Sequence, residues 1–284
     1  MKRIISTVFV LVFVLIAVNT NAQTKEFTHK SGKYLEVDGA NIYYEEIENV
    51  GKPTLLFLHS GFGNIEEFNP ILQMFTNDYH IVGVDSRGHG KSTLGSSKLT
   101  YKRLQLDVEA IVNHLQLENI NIIGYSDGGV IAYRLASANN IPIRKIVSIG
   151  GTWSLSDAEL MGKLMEGETP EKSRETWLRE SFDFYQTHNP IPDFDKFAKN
   201  VFEMWTDKTE DGYPHASVEN IKVPMLIIRG NDDYMFLLES AVELTTKVNN
   251  SLLFNIPFAP HGAFRKYPQI FEIVTKEFLN KREK

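Results

Sequence analysis

From about residue 33 to the C-terminus, short apolar runs of β-branched residues alternate with amphipathic helical patterns. That alternation leaves few folds open, because it is what a mostly parallel sheet covered by helices requires. Residues 54–58, 81–84, 120–124, 145–149, 225–228 and 252–256 read as buried strands, since a parallel strand is apolar on both faces. Residues 41–46 read as an antiparallel strand at the sheet edge. Leu104, Val108, Ile111, Val112 and Leu115 fall on one helical stripe, so Asp107, Glu109 and Asn113 are expected to face water. A similar stripe of Ile270, Ile273, Val274 and Phe278 predicts the final helix. With 284 residues and 42% hydrophobic content the chain can bury one large core.

The rhythm breaks over residues 152–218, which lack a convincing strand and are rich in aromatic residues and methionine. That segment reads as a helical cap inserted into a core formed by residues 23–151 and 219–284. Most of its aromatic side chains are expected to pack the cap's interior; Trp153 and Trp205 are candidates to roof a substrate pocket. The first 22 residues stand apart. Lys2 and Arg3 precede an uncharged stretch that ends in Thr20-Asn21-Ala22, which predicts a secretory signal peptide cleaved after Ala22 and an exported, periplasmic or secreted protein. An uncleaved anchor is the alternative, although the apolar run is short for a span of roughly 20 residues. Cleavage removes Lys2 and Arg3 and no acid, leaving 28 Lys and Arg against 36 Asp and Glu, a formal charge of −8. That balance argues against nucleic acid or an anionic membrane as partner. The chain has no cysteine, so neither disulfides nor lipid attachment at a cysteine can hold it.

Gly124-Tyr125-Ser126-Asp127-Gly128-Gly129 follows an apolar strand and opens a helical pattern. A serine at such a turn stands clear of the sheet beside a helix N-terminus, where backbone N–H groups favour a developing oxyanion. A hydroxyl needs a base to take its proton, and His261 is the best placed, after the last strand and before the last helix. His89, His114, His188 and His215 read as structural. The base needs a carboxylate on its second ring nitrogen; Asp233, at the end of Arg229-Gly230-Asn231-Asp232-Asp233, is preferred, with Asp232 as the alternative. In His59-Ser60-Gly61-Phe62-Gly63 the Gly61 N–H, with that of Asp127, is expected to form the oxyanion hole, and Phe62 is the alternative donor; His59 and Ser60 read as structural. Asp127 is also a candidate to attract a cationic substrate, although capping its helix is the preferred role. With Phe62, Trp153 and Trp205 it completes the predicted substrate contacts. Asp85-Ser86-Arg87-Gly88-His89-Gly90-Lys91-Ser92 lacks the first glycine of a phosphate-binding loop and reads as a fixed turn. No spacing suggests a metal site.

With these motifs the chain resembles the α/β-hydrolase family. The resemblance implies the α/β-hydrolase fold, an acyl-enzyme mechanism on a small-molecule ester or lactone, and no cofactor. Ser60 departs from the glycine that many members carry there. The Ser-Asp-Gly-Gly turn and the cap are similar to the valacyclovir-hydrolase-like branch, and the exported chain resembles the serine-dependent macrolide esterases, which open the lactone of 16-membered macrolides. An aminopeptidase or amidase would use the same triad, a carboxylate-nucleophile enzyme is disfavoured by serine at 126, and a non-catalytic binding protein on this fold remains the reading from another class.

Overall fold

The protein is described by a computed structural model over residues 25–281; the predicted signal peptide lies outside the described residues. The elements run β1 (Lys33–Val37), β2 (Ala40–Ile47), β3 (Thr54–Leu58), α1 (Asn69–Leu72), β4 (His80–Val84), α2 (Tyr101–His114), β5 (Ile120–Tyr125), α3 (Asp127–Ala138) and β6 (Ile143–Ile149). There follow α4 (Leu155–Leu164), α5 (Pro170–Glu175), α6 (Arg179–His188), α7 (Phe194–Trp205), β7 (Met225–Gly230), α8 (Leu238–Lys247), β8 (Ser251–Ile256), α9 (Ala263–Lys266) and α10 (Pro268–Asn280). The eight strands form one sheet in the order β1-β2-β4-β3-β5-β6-β7-β8. All pairs from β4 onward in that order are parallel, while β1–β2 and β2–β4 are antiparallel. This is the α/β-hydrolase fold.

The chain winds outward from β3 to β4 on one side and then from β5 to β8 on the other. Loops leaving β3 and β5 therefore part at a topological switch point, and the gap between them is where such sheets open a binding crevice. Both faces of the sheet are covered. One buries Leu56, Ile122 and Ile146 against α2 and α3; the other buries Phe57, Ile123 and Val147 with Phe264, Phe271 and Phe278 near the C-terminus. Four helices and a 3₁₀ turn at His215–Asn220 lie between β6 and β7, outside the sheet. Among the described residues no helix is long and apolar enough to cross a membrane.

Four expectations are corrected. β2 is not the edge: β1 pairs outside it through a two-residue turn in which Asp38 and Gly39 both have positive φ, and Asp-Gly is a hairpin signal that the sequence carries. β8 is the opposite edge rather than a buried strand, so Leu252 is 53% exposed. Asp107 and Glu109 are buried instead of facing water, because Asp107 receives Nε and Nη2 of buried Arg87 at 2.7 and 2.8 Å and Glu109 accepts from Gln105 and Asn140. In α10 the inward face is Phe271, Thr275, Phe278 and Leu279, leaving Ile270 and Ile273 exposed.

The turn at 85–92 is structural, as its sequence suggested. Buried Asp85 accepts from the N–H groups of Ile65 and Lys91, and its own carbonyl accepts from Ser92 Oγ. It also grips the N-terminal segment through His29, whose Nε2 and Nδ1 lie 2.8 Å from Asp85 and 2.7 Å from Glu66. Burial disfavours the imidazolium, but the bonds and charges of Asp85 and Glu66 outweigh it and raise the His29 pKa to about 9. A folded pKa above the unfolded value of about 6.5 contributes stability that is complete below that value and lost as pH rises through about 9. The urea midpoint, followed by tryptophan fluorescence, is therefore expected to fall between pH 6 and pH 9.5, and the fall to disappear in His29→Gln; an equal slope in both proteins would refute the assignment.

Candidate active site

Ser126 sits between β5 and α3 with φ 52° and ψ −115°, a conformation an L-residue adopts only when its surroundings enforce it. The surroundings are backbone. A Cβ on Gly128 would lie 1.9 Å from the Leu58 carbonyl oxygen, and one on Gly124 would lie 2.3 Å from that of Gly128. The first turn of α3 is thus pressed onto the ends of β3 and β5, and the Ser126 N–H donates to Ile149 at 2.8 Å. The Ser126 hydroxyl makes no capping bond to its own helix and borders a cavity of about 150 Å³.

His261 lines the same cavity. Its Nδ1 is 2.8 Å from Asp233 Oδ2. A carboxylate can only accept, so Nδ1 carries the proton and Nε2 is left as the acceptor. Nε2 is buried and has no hydrogen-bond partner among the described residues; a serine–histidine bond of this kind often tightens only with substrate present. Asp233 is fixed in turn, its Oδ1 accepting from the N–H groups of Met235 and Phe236 at 2.9 and 3.1 Å. Buried Arg229 holds the same loop through the carbonyls of Asp233 and Phe236. The alternative carboxylate, Asp232, is exposed and points away, near Asn231.

Gly61 and Asp127 both border the cavity, and among the described residues neither backbone N–H has a hydrogen-bond partner. Phe62 does not border it. Its φ of 59° turns the ring into the helical segment, where it lies 5.3 to 6.0 Å from the rings of Trp177, Phe194, Phe197, Phe202 and Trp205. Trp153 is likewise absent from the lining: its indole N–H donates to the Ser240 carbonyl and ties the chain after β6 to α8. Trp205 does line the cavity, beside Asp127.

Asp127 does not cap α3. Its carboxylate accepts from Tyr101 Oη at 2.8 Å and from Trp205 Nε1 at 2.9 and 3.0 Å. Burial raises its pKa, opposed by those bonds from Trp205 and Tyr101. Met161 and Trp177, two of the aromatic and methionine side chains of the predicted cap, also line the cavity; sequence reasoning missed Tyr101, Tyr213 and Met235, which come from separated segments and which no local pattern marks. His59 is structural as expected, its Nε2 accepting the Ser86 N–H and its Nδ1 facing the Ser60 carbonyl. His89 is buried, which lowers its pKa to about 3. A larger hollow of about 690 Å³ opens at the amino ends of β6 and β7, around Ile143 and Pro224, and touches none of these groups. Among the described residues no cluster could hold a metal ion.

A family model described as alpha/beta hydrolase fold matches residues 53–168. A putative esterase/lipase of Haemophilus influenzae is 23% identical, the match covering 96% of this chain and 99% of the relative. The serine hydrolase BPHL of Homo sapiens is 24% identical over 86% of this chain and 84% of its own length. The solved esterase EaEST of Exiguobacterium antarcticum superposes with a TM-score of 0.68 at 19% identity, covering 88% of this chain and 100% of that one.

Gly150 shows how tightly the histidine is seated. It has φ 62°, and a Cβ there would lie 2.7 Å from His261 Cε1 and 2.9 Å from Nδ1. Gly150→Ala is expected to strain the backbone by about 1–2 kcal/mol and displace the imidazole. An ångström of misplacement can cost about 100-fold in rate, so the variant should stay folded by circular dichroism while kcat for an ester falls by about that factor; unchanged turnover would contradict this seating.

Proposed function

Because the chain has the α/β-hydrolase fold and a family model of that fold matches residues 53–168, we propose that it is a serine carboxylic-ester hydrolase in which Ser126 is the nucleophile, His261 the general base and Asp233 the acid that orients it. The observation that carries the reading is the 2.8 Å contact of Asp233 with His261 Nδ1, which leaves Nε2 as acceptor in the cavity that Ser126 borders. Ser126 Oγ attacks the ester carbonyl as its proton passes to His261 Nε2. The carbonyl oxygen gains charge and is met by the N–H groups of Gly61 and Asp127, at the N-terminus of α3 where the helix dipole adds to them. His261 returns the proton to the departing alcohol; water then gives a proton to His261 Nε2 as it attacks the acyl carbonyl, and Ser126 Oγ takes that proton back as the acid leaves. Esterase names among the relatives support an ester over an amide as substrate.

A cavity of about 150 Å³ suits one small group beside the scissile carbonyl, which favours small esters. The second reading is the lactone of a 16-membered macrolide. It is supported by a buried carboxylate, Asp127, walled by Trp205 and Tyr101, a setting that attracts a cationic amino sugar; the bulk of the ring would then lie outside the cavity. Export is proposed on the same footing. Cleavage after Ala22 would leave a short tail before Phe27, which is buried and exchanges two 2.9 Å hydrogen bonds with Asn69.

The test compares wild type with Ser126→Ala on p-nitrophenyl acetate, an aminoacyl p-nitroanilide and a 16-membered macrolide. Ester hydrolysis should fall by about 10⁴-fold or more in the variant at an unchanged melting temperature. Substantial turnover by folded Ser126→Ala would refute the nucleophile. Hydrolysis of the anilide alone would shift the reading to an amidase, ring opening would establish the macrolide substrate, and silence on all three would favour a binding role.

A further inference from the structure

Ser60 stands where the resemblance leads one to expect glycine, and its hydroxyl is not idle. Ser60 Oγ and its backbone N–H donate to Glu67 Oε2 at 2.8 and 3.0 Å. The Ser60 carbonyl accepts the Gly63 N–H at 3.1 Å, closing the turn that presents Gly61. The Glu67 carboxylate fills the hollow of that turn so fully that a Cβ on Gly63 would lie 2.3 Å from Oε2. Its other oxygen, Oε1, accepts from Arg265 Nη2 at 2.9 Å.

Arg265 belongs to α9, four residues beyond His261. Its guanidinium carbon lies 5.2 Å from the centre of the Tyr125 ring, and Tyr125 directly precedes Ser126. The Tyr125 ring is in turn 5.4 Å from that of His261. One ion pair therefore touches the oxyanion turn through Ser60, the nucleophile turn through Tyr125 and the base loop through the chain of α9. Resting on the serine-hydrolase reading above, we propose that Glu67 and Arg265 are positioning residues, a brace that sets the distance between the Gly61 N–H, Ser126 and His261.

The pair contributes little to stability, because the Arg265 side chain is 45% exposed and such pairs are worth about 0–1 kcal/mol. Its effect falls on geometry, where small displacements are costly. The turn beginning at Ser60 has no other side-chain anchor on its Ser60 hydroxyl and N–H than Glu67 among the described residues, so Ser60 is explained as the partner that Glu67 needs.

The experiment measures kcat and KM for p-nitrophenyl acetate, and the rate at which a fluorophosphonate modifies Ser126 by mass, in wild type, Glu67→Gln, Arg265→Gln, the double variant and Arg265→Lys. Glu159→Gln, which breaks the exposed pair with Lys208, is the control and should match wild type. The brace predicts that kcat and phosphonylation fall about tenfold or more in both single variants while KM stays within about twofold, since the interaction acts in the transition state. The double variant should be no worse than the poorer single, because both break one unit, and Arg265→Lys should recover part of the loss. Single variants within about twofold of wild type in kcat, or losses that multiply in the double, overturn the brace while the hydrolase reading stands. A wild-type protein that takes neither ester nor phosphonate overturns both. If Glu67→Gln melts well below wild type, Arg265→Gln decides: full melting temperature with lowered kcat supports the brace, and full activity overturns it.

Discussion

The site depends on a contact between backbones. The first turn of α3 packs backbone to backbone on the carboxyl ends of β3 and β5, since a Cβ on Gly124 or Gly128 would lie 2.3 or 1.9 Å from a backbone carbonyl oxygen. That approach leaves Ser126 no ordinary conformation, and a strained residue of this kind costs of order 1–3 kcal/mol. The deficit is offset by β3 and β5, which meet there and are both fully buried, and by the hydrogen bond from Ser126 N–H to Ile149. The return is positional: the serine hydroxyl, the helix N-terminus and the turn after β3 are brought to one point.

Four strand ends supply that point. β3 leads to Gly61, β5 to Ser126, β7 to Asp233 and β8 to His261, and a parallel sheet places all four at the same end. The loops are then tied to one another rather than left to pack loosely. Asp232 N–H donates to the Ala259 carbonyl, joining the acid loop to the base loop, while Phe62 drives a ring into the aromatic cluster of α7 and fixes the helical segment over the cavity.

Buried charge serves structure more than chemistry in this chain. Arg87, paired with Asp107, donates to the Val37 carbonyl; Asp85, paired with His29, accepts from the N–H groups of Ile65 and Lys91; and Arg229 donates to the carbonyls of Asp233 and Phe236, so each gives backbone polar groups a partner. Asp233, on the His261 imidazole, and Asp127 are the exceptions; the Asp127 carboxylate sits in the cavity wall, where three hydrogen bonds hold it to Tyr101 and Trp205.

Taken alone, the sequence determined the fold class and the residues worth testing. Short continuous apolar runs for the parallel strands, the helical stripe of α2 and the turn around Ser126 are local signals, and local geometry is what a linear pattern encodes. The order of serine, aspartate and histidine followed from where strands end. The tertiary structure decided everything that depends on a neighbour from elsewhere in the chain. It placed Asp233 rather than Asp232 against the imidazole, turned Phe62 into the aromatic cluster and Gly61 toward the cavity, buried Asp107 on an arginine twenty residues away, and rotated α10 so that Ile270 faces water. Periodicity states that a face is apolar; which face is covered, and how much room is left beside a serine, is fixed only when the packed layers meet.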